Sequence, residues 1–390
     1  MRIVALTAFH VRIPLKRAIR HASHVRTETD NVIVACQLEN GITGYGEGVP
    51  RDYVTGETIE SALSLLKQGD WAGQAVLQAE SFTDAVRATA ALQLPTVPDD
   101  SRQCRGNAAR CAVELAVLDA YGQAFEQPLS EVVRQLAPSL WEPKEQVQYS
   151  TAITSAQGRK ARLAGWIMWG YGFRQCKVKV GIAGQDDVAR LRTIRKAVGK
   201  RMELRIDANE AWQPAEVERK IAELEPFGIA SVEQPVPHEQ VRELGAIRPR
   251  LQTPIMHDES LCSLVDAETA VKQGTCDLFN IRLSKCGGFI PSLRLAEFAR
   301  QQGLGYQLGC QVGETAILSA AGRHWACAVQ GIRALEGSYD RRLVKENLAQ
   351  RDITFGWGGW APALPGGGLG IKISTTALER VTVRKEVLFG

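Results

Sequence analysis

An eight-stranded α/β barrel with a separate α+β domain over it is the fold this chain predicts. Three observations carry that prediction. After Pro143, short apolar runs alternate with amphipathic stretches, eight runs in all. Before that point the pattern is antiparallel β, then helical. Ionisable residues recur at the ends of five consecutive runs, at spacings of 28, 26, 25 and 27 residues, each about one strand-plus-helix unit.

The elements follow in order. "RIVALTAFHVRIPL" and "NVIVACQLENGITGYGEG" read as strands, with Glu39-Asn40-Gly41 as the turn signal inside the second stretch. From Ser61 to about Leu136, Ala and Leu recur at three- and four-residue spacing, and "RCAVELAVLDAYGQAF" is the clearest helix. The barrel runs are "VQYSTAI", "QCKVKV", "ELRID", "ASVEQ", "PIMHD", "LFNIRLS", "GYQLG" and "IRALEG". Helices are expected between them, at Asp187–Val198, Pro214–Phe227 and Ser292–Arg300 for example. Such alternation means a parallel sheet with right-handed crossovers, and eight units close a barrel. "GWGGWAPALPGGGLGIKI" reads as a loop leading into a final strand and short helix that pack back on the first domain. The expected domains are 1–137, completed by 366–390, and 143–365, docked without a low-complexity linker.

Composition narrows the partners. The chain has 390 residues, 45% hydrophobic and 23% charged, and its net charge of +4 is spread out. No Lys/Arg block suggests a nucleic-acid patch, and no apolar run is long enough to span a membrane. Nine cysteines without a CxxC or Cys/His cluster read as reduced thiols. The start "MRIVALTAFHVRIPL" has a strand pattern rather than that of a signal peptide. The expectation is a cytoplasmic protein that binds a small molecule, with no nucleic-acid or membrane partner.

The recurring charges carry the chemistry. Lys179 ends the second run, Asp207 the third, Glu233 the fourth and Asp258 the fifth, and Lys285 follows the sixth. One acid in such a place is most simply a helix N-cap. Three in register at the C-terminal mouth, bracketed by lysines, point to a site instead. Asp207, Glu233 and Asp258 make an oxygen-only set that suits Mg²⁺, with Mn²⁺ as the substitute. The second and sixth strands of a barrel face each other, so Lys179 and Lys285 are expected on opposite faces of a substrate. Lys177 shares a strand face with Lys179. A neighbouring ammonium, burial and a divalent cation all disfavour a charged Lys179. One lysine then binds or tunes while the other moves a proton. The competing reading is that both lysines only neutralise the acids. Metal and base together fit removal of a proton next to a carboxylate, giving a charge-stabilised enediolate.

These motifs, with "NGITGYGEG", "KVKVG", "IDANEAW", "SVEQP", "DES", "SKCGG" and "PGGGLGI", resemble the enolase superfamily over nearly the whole chain. Within it they resemble the muconate lactonizing enzyme (muconate cycloisomerase) subgroup. The resemblance implies a modified (β/α)7β barrel, an α+β cap whose loops close the mouth, and a homo-oligomer. It implies Asp207, Glu233 and Asp258 as metal ligands, Lys179 and Lys285 as the acid/base pair, and Asn209 and Glu259 as residues that orient the ligands. Glu314, in "CQVGET", matches an acid near the substrate. The cap loops offer Arg51, Tyr53 and Thr55 in "RDYVTGET", and His21 and His24 in "HASHVRT". The run "LGYQLG" lacks the seventh-strand histidine of the mandelate racemase subgroup, and His257 is expected to point outside the barrel.

The shared intermediate does not select a reaction. Dipeptide epimerases usually carry Asp-x-Asp near the eighth strand. Here Ala334-Leu335-Glu336 lacks the first acid, and Asp340 is displaced. Ser338 fits the hydroxyl-bearing pocket of cycloisomerases. The first expectation is therefore a Mg²⁺-dependent, cycloisomerase-like isomerase of a small carboxylate. The alternative is a dipeptide epimerase or N-acylamino acid racemase, with a dehydratase or o-succinylbenzoate synthase behind it. Two readings from other classes make separate predictions. A Schiff-base lysine would be trapped by borohydride, and a pure binding protein would hold metal and carboxylate without proton exchange.

Overall fold

The computed structural model describes residues 1–20 and 25–390, so His21 and His24 lie outside the described residues. Strands β1 (Ile3–Arg20), β2 (Val25–Leu38) and β3 (Thr43–Gly48) form an antiparallel sheet. The fourth strand, β14 (Thr382–Phe389), comes from the far end of the chain and pairs with β1. The Asn40-Gly41 turn joins β2 to β3, with Gly41 at φ +86°.

Helices α1 (Asp52–Thr55), α2 (Ile59–Lys67), α3 (Phe82–Ala90), α4 (Asn107–Ala124) and α5 (Glu131–Leu136) follow. The seat of α4 is written in the sequence. Glycine occupies alternate positions of β3, at Gly44, Gly46 and Gly48, so all three share a face. Helix α4 answers with Ala108, Ala112, Ala116 and Ala120 at every fourth position. A Cβ on the three glycines would lie 2.1, 2.0 and 1.9 Å from α4 backbone atoms. The helix lies flush on the strand, and nothing larger than hydrogen fits between them.

A short antiparallel ladder, β4 (Gln146–Gln148) with β13 (Trp360–Pro362), precedes the barrel. All eight expected runs are parallel strands: β5 (Thr151–Ile153), β6 (Gln175–Lys179), β7 (Glu203–Asp207), β8 (Ile229–Glu233), β9 (Ile255–His257), β10 (Leu278–Ile281), β11 (Gly305–Leu308) and β12 (Ile332–Leu335). The Ser150 N–H donates to the Leu335 carbonyl at 2.7 Å and joins the two edges. Helices α6 (Gly158–Gly170), α7 (Asp187–Val198), α8 (Val217–Leu224), α9 (Leu244–Ile247), α10 (Leu264–Gln273), α11 (Phe289–Gln301) and α12 (Ala316–Ala328) fill the seven gaps. This is the (β/α)7β barrel. A single turn, α13 (Asp340–Leu343), follows β12, and α14 (Thr375–Val381) leads into β14, so the tail runs helix then strand, the reverse of the expected order. Among the described residues no helix is long and apolar enough to cross a membrane.

Buried acids fasten the two sheets' layers together by capping helices. Glu47 of β3 accepts from the Thr315 and Leu318 N–H groups at 2.9 and 3.0 Å, at the N-terminus of α12. Glu114 of α4 accepts from the Ile290 N–H at 2.9 Å, at the start of α11. Burial raises the Glu47 carboxyl to about 7 despite those bonds. A carboxyl whose folded pKa exceeds its unfolded one contributes stability at low pH and loses it as pH rises through the folded value. The melting temperature is therefore expected to carry a downward Glu47 component between the ordinary glutamate value of 4.5 and about 7. Glu47→Gln cannot ionise and should show a shallower slope across that window. Equal slopes by scanning calorimetry would remove Glu47 from the account.

Candidate active site

The barrel strands deliver polar side chains to one mouth. Lys179, Asp207 and Glu233 are the last residues of β6, β7 and β8, and Asp258 directly follows β9. Lys179 pairs in register with Asp207, and Asp207 with Glu233. Beyond the strand ends the backbone bends hard. Asn209, Glu210 and Gln234 hold φ of +42°, +66° and +37°, a region that costs energy for residues other than glycine. The bends have local uses. Gln234 Oε1 accepts from the Asp258 N–H and from Ser260 Oγ, both at 2.9 Å, and ties the end of β8 to the end of β9. Asn209 Oδ1 accepts from Lys179 Nζ at 2.6 Å, while its Nδ2 donates to Glu259 Oε1 at 3.3 Å. Asn209 and Glu259 thus form a relay that orients Lys179, beside the Asn209 N–H that donates to Asp207 at 3.0 Å.

The three strand-end acids are all buried. Among the described residues their oxygens do not all fall within 4.8 Å of one another, because two cations reach between them. Lys177 Nζ lies 3.5 Å from Asp207, 3.3 Å from Glu233 and 2.8 Å from Glu336. The Arg282 guanidinium pairs with Asp258 and lies 3.5 Å from Glu233. Burial raises the Glu233 carboxyl to about 8, with Asp207, Glu336 and Asp258 adding to the rise and Lys177 opposing it. Burial would also raise Asp258, but Arg282 and Lys285 hold it well below the usual carboxylate range. Burial would lower Lys177, yet Glu233, Glu336 and Asp207 raise it well above the ordinary lysine value. Lys177 is accordingly a fixed charge that holds the acids together. Such a place agrees with Lys177 as the lysine that binds or tunes while Lys179 moves the proton.

A cavity of about 1000 Å³ opens above this floor, between barrel mouth and cap loops. Lys177, Lys179, Asp207, Asn209, Glu259 and Glu314 line its polar side, and Ile19, Tyr53, Ile153, Met168 and Phe173 line much of the rest. Several expected residues are placed differently. Lys285 does not line it. Its side chain is fully buried, and Nζ donates to the Asp258 carbonyl at 2.6 Å, Asp258 Oδ1 at 2.9 Å and the Asn280 carbonyl at 2.9 Å. All three ammonium protons are used. The strand ends at Ile281, so Arg282 takes the mouth position and Lys285 falls in the turn beneath Asp258. Thr55 is also turned inward, its hydroxyl donating to the Arg51 carbonyl at 3.3 Å, and does not line the cavity. Arg51 lies at the wall, but its terminal nitrogens donate to Thr29 Oγ1 and to the Pro50, Asp30 and Val312 carbonyls, a clamp between cap loop and barrel loop. Ser338 reaches the wall, yet its hydroxyl accepts from Arg323 at 2.8 Å and donates to the Ile353 carbonyl at 3.1 Å. Tyr53 faces the cavity with the Arg26 guanidinium 5.8 Å from its ring centre. Glu314 faces it too, and burial raises its carboxyl to about 8. His257 is buried away from the cavity and held neutral, burial lowering it to about 3.

Sequence reasoning missed Arg205, Asn280 and Gln307, which lie inside the barrel around Glu233 together with Glu336, the acid read at the eighth strand. Asn280 Nδ2 donates to Glu233 at 2.8 Å, and Arg205 donates to Glu336 at 3.1 Å. Burial would raise Glu336, but Lys177 and Arg205 pull it to about 2. The signal existed: Arg205 stands two residues before Asp207, as Lys177 does before Lys179, so each shares its partner's inward face.

The comparisons settle the family. Residues 161–377 match the family model "Enolase C-terminal domain-like". The chain belongs to the enolase superfamily. A hydrophobic dipeptide epimerase of Enterococcus faecalis is 32% identical over 83% of this chain and 87% of that protein. An N-succinyl-L-Arg/Lys racemase of Bacillus cereus is 29% identical over the full length of both. The crystal structure of a dipeptide epimerase from Cytophaga hutchinsonii, complexed with Mg and the dipeptide D-Ala-L-Val, superposes with a TM-score of 0.83 at 25% identity and full coverage of both chains. A muconate cycloisomerase of Rhodococcus opacus is similar at 26% identity over 98% of this chain and 99% of that protein. This enolase superfamily member is an isomerase, as these relatives are. Their names favour the epimerase and racemase alternative over the cycloisomerase reading expected first.

Proposed function

We propose that this chain removes the proton on the carbon next to the carboxylate of a dipeptide or an N-acylated amino acid, with Lys179 as the base. The observation that carries this is Lys179 itself. It is the strand-end lysine on the cavity floor, held by Asn209 at 2.6 Å beside three buried carboxylates.

The donor set fits Mg²⁺. Asp207, Glu233 and Asp258 offer only oxygens, and their excess negative charge already draws Lys177 and Arg282 between them. Those three residues would hold the ion. When bound, it supplies positive charge that offsets the second negative charge developing on a substrate carboxylate. The chain's own residues do the rest. Asn209 accepts one Lys179 proton and fixes the nitrogen's direction. Lys177 stays charged and keeps Glu233 and Glu336 in place. Ile19 and Tyr53, from the cap, screen the mouth from water. Met168 and Phe173 offer apolar surface to a substrate side chain.

The test is solvent exchange. The protein with Mg²⁺ in D₂O is expected to add one mass unit to a member of a panel of dipeptides, N-succinyl and N-acetyl amino acids. Silence on all of these, with exchange on a carboxylate lacking an α-amino nitrogen, would overturn the substrate class.

A further inference from the structure

The relatives' names describe inversion at a carbon, and inversion is simplest with a proton-transferring group on each face. Among the described residues, the lysines at the strand-end mouth face the cavity from the β6 side, and none does from the β10 side opposite. β6 and β10 are the second and sixth of eight strands and stand opposite each other. Lys179 comes to the cavity from β6. From the β10 side the cavity receives Arg282, while Lys285 is sealed below with its three protons donated to oxygens. Lys160 also reaches the wall, but from the exposed first turn of α6, next to β6 and on the Lys179 side. Glu336 is bound to Lys177 and Arg205, and Glu314, on the loop after β11, accepts from the Gln311 N–H at 2.6 Å.

We infer that Arg282 sets the stereochemical course: proton transfer is confined to the Lys179 face, and inversion is slow relative to exchange. A guanidinium has five donors, no acceptor and no accessible neutral form, so it can bind an oxyanion but cannot take up a proton. The interconversion of two hands of one carbon has an equilibrium constant near one. A handicap on the direction that would need Arg282 as base therefore burdens the other direction equally. The balanced step is short. The Lys179 amine takes the α-proton, the C–H pair moves into the carboxylate as an enediolate, and the Lys179 ammonium returns a proton to the same face. In D₂O the ammonium has exchanged, so deuterium enters with retention. An isomerisation built on this step makes or breaks a bond at a neighbouring atom instead of inverting the carbon.

This rests on the proposed proton abstraction, and one experiment separates the two. The two forms of a dipeptide or N-succinyl amino acid that are antipodal at the carbon next to the carboxylate, one of which exchanges, are each incubated with the Mg²⁺-loaded enzyme in D₂O. Mass spectrometry reads deuterium, and chiral chromatography reads inversion. The expected result is uptake by one antipode with inversion at least about a hundredfold slower, the size of a missing general acid or base. Arg282→Lys should then raise inversion relative to exchange about tenfold or more, a gain that a purely structural arginine would not give. Inversion keeping pace with exchange in the wild type overturns the inference while leaving the proton abstraction intact, and this arm needs no variant to fold. Exchange on neither antipode of any panel member removes both.

Discussion

Lys179→Ala is expected to abolish α-proton exchange, with a fall of roughly 10³-fold or more, at the upper part of the range for loss of a general base. The fold should survive. Lys179 is the last residue of β6, half-buried, and the one described hydrogen bond of its side chain is to Asn209. The substitution leaves no buried charge unpaired. Lys177, two residues away, presents the opposite case. Its ammonium faces Asp207, Glu233 and Glu336, so Lys177→Ala would strand buried carboxylates, and stranding such a partner costs several kcal/mol, about 3–5 for a buried pair. The two variants thus separate chemistry from scaffold. Lys179→Ala should keep the wild-type melting temperature and lose exchange, whereas Lys177→Ala should lose both. Exchange within tenfold of wild type in a folded Lys179→Ala protein would move the base elsewhere.

The same strand shows what a sequence reveals and what it hides. A strand's period of two fixes which residues share a face, and one βα unit fixes how far apart the mouth residues fall. Lys179, Asp207, Glu233 and Asp258 were legible on those two periods alone. The glycine face of β3 and the alanine face of α4 were legible for the same reason, although their mutual fit needs the structure. Lys285 misled because lysine chemistry drew attention past the end of the strand. Counting in twos from Asn280 reaches Arg282, while the turn after Ile281 folds Lys285 back under Asp258. Ser338 and Thr55 were not legible, because loop side chains follow local backbone angles and not a period. Ser338 sits at φ +54°, where its hydroxyl reaches the buried Arg323. Thr55 lies in the single turn of α1 and hydrogen-bonds within it. What Arg205 and Gln307 do was not legible, because each finds its partners on other strands, across the barrel interior. Here the interior beneath Glu233 is a polar layer that exists to carry the acids' charge.

Glu233→Gln is expected to lower Mg²⁺ affinity by at least about a hundredfold, beyond the 10- to 100-fold typical of residues that merely support a ligand. Glu233 is the middle of the three acids, on the strand between β7 and β9, so it is the one the other two cannot replace by a small shift. Its surroundings also make the substitution mild for the metal-free fold. Burial and the neighbouring acids raise its carboxyl to about 8, whereas Asp258 is held well below the usual range, so of these two acids Glu233 is the one whose charge the metal-free fold favours less. Asn280 Nδ2 can still donate to the amide oxygen where it now donates to Oε1. The two effects therefore part in one titration. Without metal, the melting temperatures of variant and wild type should be close. With Mg²⁺ in excess, the wild type should rise by mass action and the variant should rise far less. Isothermal titration gives the affinities directly. Equal Mg²⁺ binding by both proteins would exclude Glu233 as a ligand, and a metal-free variant that fails to fold would show that the charge on Glu233 matters to the scaffold more than its raised pKa allows.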